Sequence, residues 1–389
     1  MSAHPPEVGR ARVRELGLVP GVLPPGPLNA ITDVAGVRVG HETLYEGAGV
    51  RTGVTVVLAH HDDPYRWRVP AALFVGNGYG KLIGATQVRE LGELETPIAL
   101  TNTLCVARAA EALVGWTLGR KGNARVQSVN PFVGETNDGY LNDIRARAVR
   151  PEHVLAALDA AAAGPVAMGA IGAGTGTMAF GFKGGIGSSS RRLPAALGGF
   201  TVGALVQSNF GGVLQVAGRQ VGVLAGRHYL FDELNGVGAG AHAGAGAPGV
   251  TGRAPAAAGG APASPRGSVQ DADGSIMIVI ATDAPLSSAG LGRLAFRSMA
   301  GLARTGAAFS NGSGDYAVAF STDEGVRRRA GGAPKAPTRE VGNDDLSPLF
   351  LAAIEATEEA IYDSLCLAVS VTGHEGHVGE ALPVELLAP

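Results

Sequence analysis

The chain has 389 residues, 46% of them hydrophobic and 17% charged, which is enough apolar material for a sizeable core and excludes a disordered chain. Lys plus Arg number 31 and Asp plus Glu 34, a formal net charge of -3, so there is no electrostatic footprint for nucleic acid or an anionic membrane. The 60 glycines follow no Gly-X-Y period, which excludes collagen and predicts tight turns and close backbone contacts.

In chain order, Met1 to Leu18 mixes His4, Glu7, Arg10, Arg12 and Arg14 with no apolar centre, so it does not read as a secretory signal. No uninterrupted apolar span of about 18 residues follows, and no membrane segment is predicted. Val37 to Val39 and Val54 to Val57 read as strands, as does Pro97 to Asn102, which leads into a helix over Leu104 to Leu118. A second helix runs from Pro151 to Ala163, opened by proline and closed by Gly164. Val166 to Leu224 is strand-like and rich in glycine.

Gly236 to Arg266 is nearly all Gly, Ala and Pro and reads as a mobile linker. Ile276 to Ile280 follows as a fully buried strand. A helix is predicted over Ser287 to Arg304, capped by Ser287, with Leu291, Leu294, Ala295, Ser298 and Leu302 on its inner face. Tyr316 to Phe320 is another strand, Arg327 to Arg329 a solvated basic loop, and Leu346 to Ala368 a long helix with Ile354, Ile361 and Leu365 inward. Strands and helices in both halves predict an α/β or α+β fold of layered sheet and helix. Cys105 and Cys366 sit in apolar helical contexts, read as buried free thiols, and fit a cytoplasmic protein.

The cofactor motifs fail. Gly174-Thr-Gly-Thr-Met-Ala179 has the form of a dinucleotide fingerprint, but no acid occurs from Ala160 to Phe231 to hold the ribose. A phosphate loop at Lys183 lacks its preceding Gly and following Ser or Thr. His60-His-Asp-Asp63 and His374-Glu-Gly-His377 lack the helical spacing of a zinc protease and read as solvated loop histidines. No metal or cofactor is expected.

The junction at Ser275 carries more. A linker ending in Gly274 and followed by a buried strand is what a precursor needs if it is to expose a serine at a new N-terminus. Glycine admits a strained peptide, the linker lets the ends part, and the strand holds the new terminus. The serine then gains a base in its own α-amine, with pKa about 7.7 to 8.0.

Asp273-Gly-Ser-Ile-Met-Ile-Val-Ile-Ala-Thr-Asp-Ala-Pro-Leu286 resembles the processing site of the DmpA-type L-aminopeptidase/D-esterase and β-peptidyl aminopeptidase family. The resemblance extends to Ile31-Thr-Asp-Val-Ala-Gly-Val-Arg-Val-Gly-His41, Thr101-Asn-Thr-Leu104, Gly134-Glu-Thr-Asn-Asp-Gly-Tyr-Leu-Asn-Asp143, Gly172 to Ser190 and Val206-Gln-Ser-Asn-Phe-Gly211. It implies a four-layer αββα sandwich forming one domain over residues 1–389. It also implies self-cleavage between Gly274 and Ser275 into an α chain (1–274, with 236–274 as linker) and a β chain (275–389). The family's enzymes are homotetramers of such pairs that release N-terminal residues from small peptides, amides or esters without a cofactor.

By the same resemblance the nucleophile is Ser275, helped by Ser313 and Asp315 in Asn311-Gly-Ser-Gly-Asp315, where other members carry Glu for the acid. Asn209 matches the oxyanion-holding asparagine, a task worth about 2.7 to 4 kcal/mol per donor. Lys183 resembles a lysine of the nylon-oligomer hydrolase branch; a surface salt bridge is its structural alternative. A family tyrosine falls on Tyr140 or, in the register two after Glu135, is replaced by Asn137. Glu135 and Asp138 suit a pocket for the substrate's ammonium group. The base is either the Ser275 α-amine or Ser313 polarised by Asp315. The rival readings are a nylon-oligomer-hydrolase-like amidase, an acyl transferase like the self-cleaving ornithine acetyltransferases, which use threonine, and an uncleaved binding protein of the same fold.

Overall fold

The computed structural model describes residues 10–235, 273–332 and 340–387. The linker read over Gly236 to Arg266 lies outside the described residues. In chain order the strands that build the core are β1 (Arg38–Glu46), β2 (Val50–Leu58), β3 (Trp67–Gly78), β4 (Ile98–Asn102), β5 (Phe132–Thr136), β6 (Gly185–Arg192), β7 (Thr201–Asn209), β8 (Ser275–Thr282) and β9 (Gly314–Ser321). The main helices are α1 (Val106–Leu118), α2 (Pro151–Asp159), α3 (Ser288–Arg304) and α4 (Ser347–Cys366).

One sheet runs β1-β2-β4-β5, with only the last pair parallel. The other runs β3-β9-β8-β7-β6, with β8 and β9 parallel and the remaining pairs antiparallel. Apolar residues of α1 and α2 pack on the outside of the first sheet, those of α3 and α4 on the outside of the second, and a third cluster fills the space between the sheets. This is the four-layer αββα sandwich.

Strand β8 shows why its sequence is an unbroken apolar run. Ile276, Ile278 and Ile280 face the helices, while Met277, Val279 and Ala281 face the other sheet. A strand covered on both faces has no solvated side to make polar. Its neighbour in the opposite sheet crosses closely, because the Met277 side chain fills the space a Cβ on Gly134 would need.

Several boundaries differ from the sequence reading. The helix from Pro151 ends at Asp159 rather than Ala163, because the backbone of Ala162 pairs with Val39. Ser287 stands at the N-cap of α3 but its side chain makes no capping hydrogen bond. Strand β3 was not read at all; Pro70 and its polar start obscure a strand that β9 aligns. Arg327 is buried, with Nη2 donating to the Thr322 carbonyl at 2.8 Å, so only Arg328 and Arg329 are exposed. Cys105 and Cys366 are buried free thiols, as expected.

The inner face of α4 also differs. Ile361 and Leu365 point inward and Ile354 is half-buried, but Glu355, Glu359 and Asp363, spaced four apart, are buried with them. Arg191, fully buried on β6, donates from Nε to Glu355 Oε2 at 3.0 Å and from Nη2 to Glu359 Oε2 at 2.7 Å. From the N-terminal segment, Arg12 Nε bonds Asp363 Oδ2 and Arg14 Nε bonds Glu359 Oε1, each at 2.7 Å. Burial pushes the Glu359 carboxyl up, but Arg14, Arg191 and Asn29 outweigh it and hold it below the ordinary value. Removing Arg191 leaves buried Glu355 with no arginine among the described residues and Glu359 with Arg14 alone. Arg191→Met is therefore expected to destabilise the fold by about 3 to 5 kcal/mol, read as a lower midpoint in urea or thermal denaturation.

Candidate active site

Three strands of the second sheet end at one level. Asn209 on β7 is opposite Ser275 on β8, and Ser275 is opposite Gly314 on β9. Ser275 is buried, and its Oγ accepts the Gly314 N–H at 3.1 Å. A Cβ on Gly274 would lie 2.0 Å from the Asn209 carbonyl oxygen, so glycine alone fits before the serine.

Ser313 and Asp315 flank Gly314. Ser313 Oγ donates to Asp315 Oδ1 at 2.5 Å, and both residues are buried. Asp315 Oδ2 has no partner among the described residues. Burial pushes this carboxyl up to about 6, against the pull of the Ser313 hydrogen bond. By strand alternation Asp315 shares the helix side with Ala317 and Ala319, whereas Ser275 shares the inter-sheet side with Met277. The Gly314 amide connects the two sides. Asn77 Nδ2 holds the loop before the pair, donating to the carbonyls of Ser310, Asn311 and Ser313 at 3.0, 3.1 and 2.5 Å.

The Asn209 carboxamide has a fixed orientation. Its Oδ1 accepts the Met178 N–H at 2.9 Å, and its Nδ2 has no hydrogen-bond partner among the described residues. The loop bearing Met178 is tied to Lys183, which is fully buried. Lys183 Nζ donates to the carbonyls of Gly174, Thr177 and Gly184 at 2.9, 2.9 and 2.7 Å. Burial pushes its ammonium down to about 7, while three carbonyl acceptors favour the fully protonated form. Lys183 is thus an internal brace, and the surface salt bridge is not what the fold builds.

The Glu135 to Tyr140 segment splits. Glu135, at the end of β5, is buried; Oε1 accepts the Lys81 N–H at 2.8 Å and Oε2 accepts the Thr103 hydroxyl. Burial raises its carboxyl above the ordinary value. Asp138 is turned inward, with Oδ1 on Asn142 Nδ2 at 3.0 Å, and burial pushes it up to about 7. Asn137 is exposed and accepts the Gly139 N–H in its own turn. The Tyr140 ring stacks on His377, centroids 4.5 Å apart and 4° from parallel, which takes that face for His377.

Tyr316, read only as a strand residue, instead lies over Gly314. A Cβ on Gly314 would stand 3.0 Å from Tyr316 Cε2. Its sole signal in the sequence is an aromatic residue directly after Asp315. Of the histidines, His60 is buried with Nε2 on the Trp67 carbonyl, not solvated. Among the described residues no group of three or more His, Cys, Asp or Glu is placed to hold a metal. Nor, among them, is any helix long and apolar enough to cross a membrane.

The αββα sandwich brings a serine, a Ser–Asp pair and an oriented carboxamide to one set of strand ends, and its relatives make it a hydrolase. Residues 29–379 match Peptidase family S58, and the chain belongs to that family. It is 42% identical over 382 residues to the beta-peptidyl aminopeptidase BapA of Sphingosinicella microcystinivorans, covering 96% of this chain and 89% of that protein. The structure of a Burkholderia sp. beta-aminopeptidase is similar at a TM-score of 0.80 and 40% identity, covering 97% of both chains. The L-aminopeptidase D-Ala-esterase/amidase of Ochrobactrum anthropi, described as a prototype of the serine aminopeptidases and a variant of the Ntn hydrolase fold, is similar at 0.79 and 34%, covering 97% of this chain and 96% of that one. The family resemblance carried by Asp273 to Leu286 and its companion motifs therefore holds.

Carboxyl-carbon NMR is expected to place the Asp315 midpoint near 6, and Ser313→Ala to raise it, since the lost hydrogen bond favours the carboxylate. The folded value lies above the unfolded one. Asp315 thus favours folding while protonated, and that contribution fades as pH rises from about 4 through about 6.

Proposed function

We propose that this peptidase cleaves itself between Gly274 and Ser275 and then acts as an aminopeptidase with Ser275 as its N-terminal nucleophile. In the first reaction Ser275 Oγ attacks the Gly274 carbonyl carbon, the C–N bond breaks, and the nitrogen takes the proton to become the Ser275 α-amine. Water then hydrolyses the ester, giving a Gly274 carboxylate and a free hydroxyl. In turnover the same hydroxyl attacks the substrate carbonyl. Its proton passes to the α-amine, or to Ser313 polarised by Asp315, and on to the leaving amine; water releases the acyl group.

The observation that carries the reading is the strand register that sets Asn209, Ser275 and Gly314 side by side, with the Ser313–Asp315 hydrogen bond flanking Gly314. Asn209 Nδ2 and the Tyr140 hydroxyl are the side-chain donors for the oxyanion. Glu135 takes the free amino group of the substrate; Asp138, bound to Asn142, supports the fold instead. Small peptides, amides or esters with a small N-terminal residue are the substrate class. β-Amino acids come first for test, because the BapA relative and the Burkholderia enzyme carry that activity in their names. A homotetramer of processed pairs in the cytoplasm completes the proposal.

Purified protein is expected to separate under denaturing conditions into chains 1–274 and 275–389, the smaller starting Ser275-Ile276-Met277 by mass or N-terminal sequencing. Ser275→Ala is expected to stay whole, and a wild type that also stays whole would refute self-processing. In processed enzyme assayed on β-alanine p-nitroanilide, Asp315→Asn is expected to lower kcat by about a hundredfold or more. Near-normal turnover there would leave the Ser275 α-amine as the base.

A further inference from the structure

Tyr316 joins the nucleophile to the acid through two glycines. Its ring lies on the inter-sheet side with Val318 and Phe320, and it is buried. The ring occupies the space that a side chain on either Gly314 or Gly80 would need, since a Cβ on Gly80 would stand 2.5 Å from Tyr316 Cε2. Gly314 gives its N–H to Ser275 Oγ, and Gly80 gives its N–H to the Tyr316 phenol oxygen at 2.8 Å. The next amide, Lys81 N–H, goes to Glu135 Oε1, which lies 3.2 Å from where a Gly80 Cβ would stand. Consecutive amides of one loop therefore fix a phenol oxygen and a carboxylate side by side, next to the strand pair that bears Ser275.

That arrangement suits a cation. The phenol oxygen accepts one N–H and keeps a second lone pair, the carboxylate keeps further lone pairs, and the ring face is electron-rich. We propose that Tyr316 is a specificity-determining residue: its phenol oxygen accepts one hydrogen of the substrate's free ammonium group while Glu135 accepts another. Gly80, without a side chain, lets the phenol and the carboxylate come close to one another. The proposal rests on the reading of Ser275 as nucleophile.

The test compares two substrates in self-processed Tyr316→Phe enzyme, β-alanine p-nitroanilide with its amine and p-nitrophenyl propionate without one. Loss of a hydrogen bond to a charged group is expected to raise KM for the first about tenfold or more. Its kcat and the kcat/KM for the propionate ester should stay within twofold. Tyr316→Leu should raise KM further, since it removes the ring as well. Equal losses on both substrates would assign Tyr316 a merely structural role, and an unchanged KM on the amine would remove it from recognition; either result overturns the proposal. A wild type inactive on both substrates, or a Ser275→Ala enzyme still active on them, would instead overturn the reading of Ser275, and the role of Tyr316 with it.

Discussion

Everything at this site depends on how closely backbones approach one another at the ends of β7, β8 and β9. A Cβ at position 274 would collide with the Asn209 carbonyl, and one at Gly314 would come within 2.8 Å of the Gly80 Cα. Their absence lets two strand ends and a loop converge on Ser275. The convergence sets main-chain N–H groups, rather than mobile side chains, on the serine oxygen, the Tyr316 phenol and the Glu135 carboxylate. Groups held by backbone are fixed to within the small tolerance that chemistry at a carbonyl demands.

A second device orients the remaining polar group. Lys183 lies at the centre of a glycine-rich turn and gathers three carbonyls around one ammonium. One of them, Thr177, directly precedes Met178, whose N–H fixes the Asn209 oxygen. The buried Lys183 thus holds the loop whose Met178 N–H fixes the Asn209 oxygen, and in the proposed reading the amide nitrogen is the end that meets the oxyanion. Asparagine alone, with nearly symmetric ends, would not choose.

How far this was legible in the sequence follows from the range of the forces involved. Strand β8 was plain because burial on both faces leaves a continuous apolar run, whereas the Ser313–Asp315 pair came from the family resemblance and not from the residues alone. The place of Tyr316 was not plain. Its partner Gly80 comes from a loop far off in sequence, and Glu135 is held by the next amide of that loop. The buried acids beside Ile361 and Leu365 on α4 were not legible for the same reason: Glu359 is tolerable inside because Arg14 and Arg191, 345 and 168 residues away, reach it. Periodicity reports which side is buried, not which charges meet there.

The two buried charge systems of the molecule differ in the partners given to their acids. Along α4 each buried carboxylate has an arginine; Glu359 is held below its ordinary value, whereas burial still pushes Asp363, beside Arg12, up to about 6. Around Ser275 the acids have no buried arginine. Asp315 is pushed up to about 6, and Glu135 is raised by burial although the Thr103 hydroxyl, the Lys81 N–H and the exposed Lys81 ammonium favour its charge. Under the function proposed, an arriving ammonium group supplies the partner that such a carboxyl lacks. In the proposed reading, binding the amine lowers the Glu135 pKa again, because an opposite charge within a few ångströms favours the carboxylate. The same burial that weakens the empty site's charge is what makes a neutral, blocked N-terminus a poor occupant: it would bury beside Glu135 without relieving the desolvation that raised its pKa.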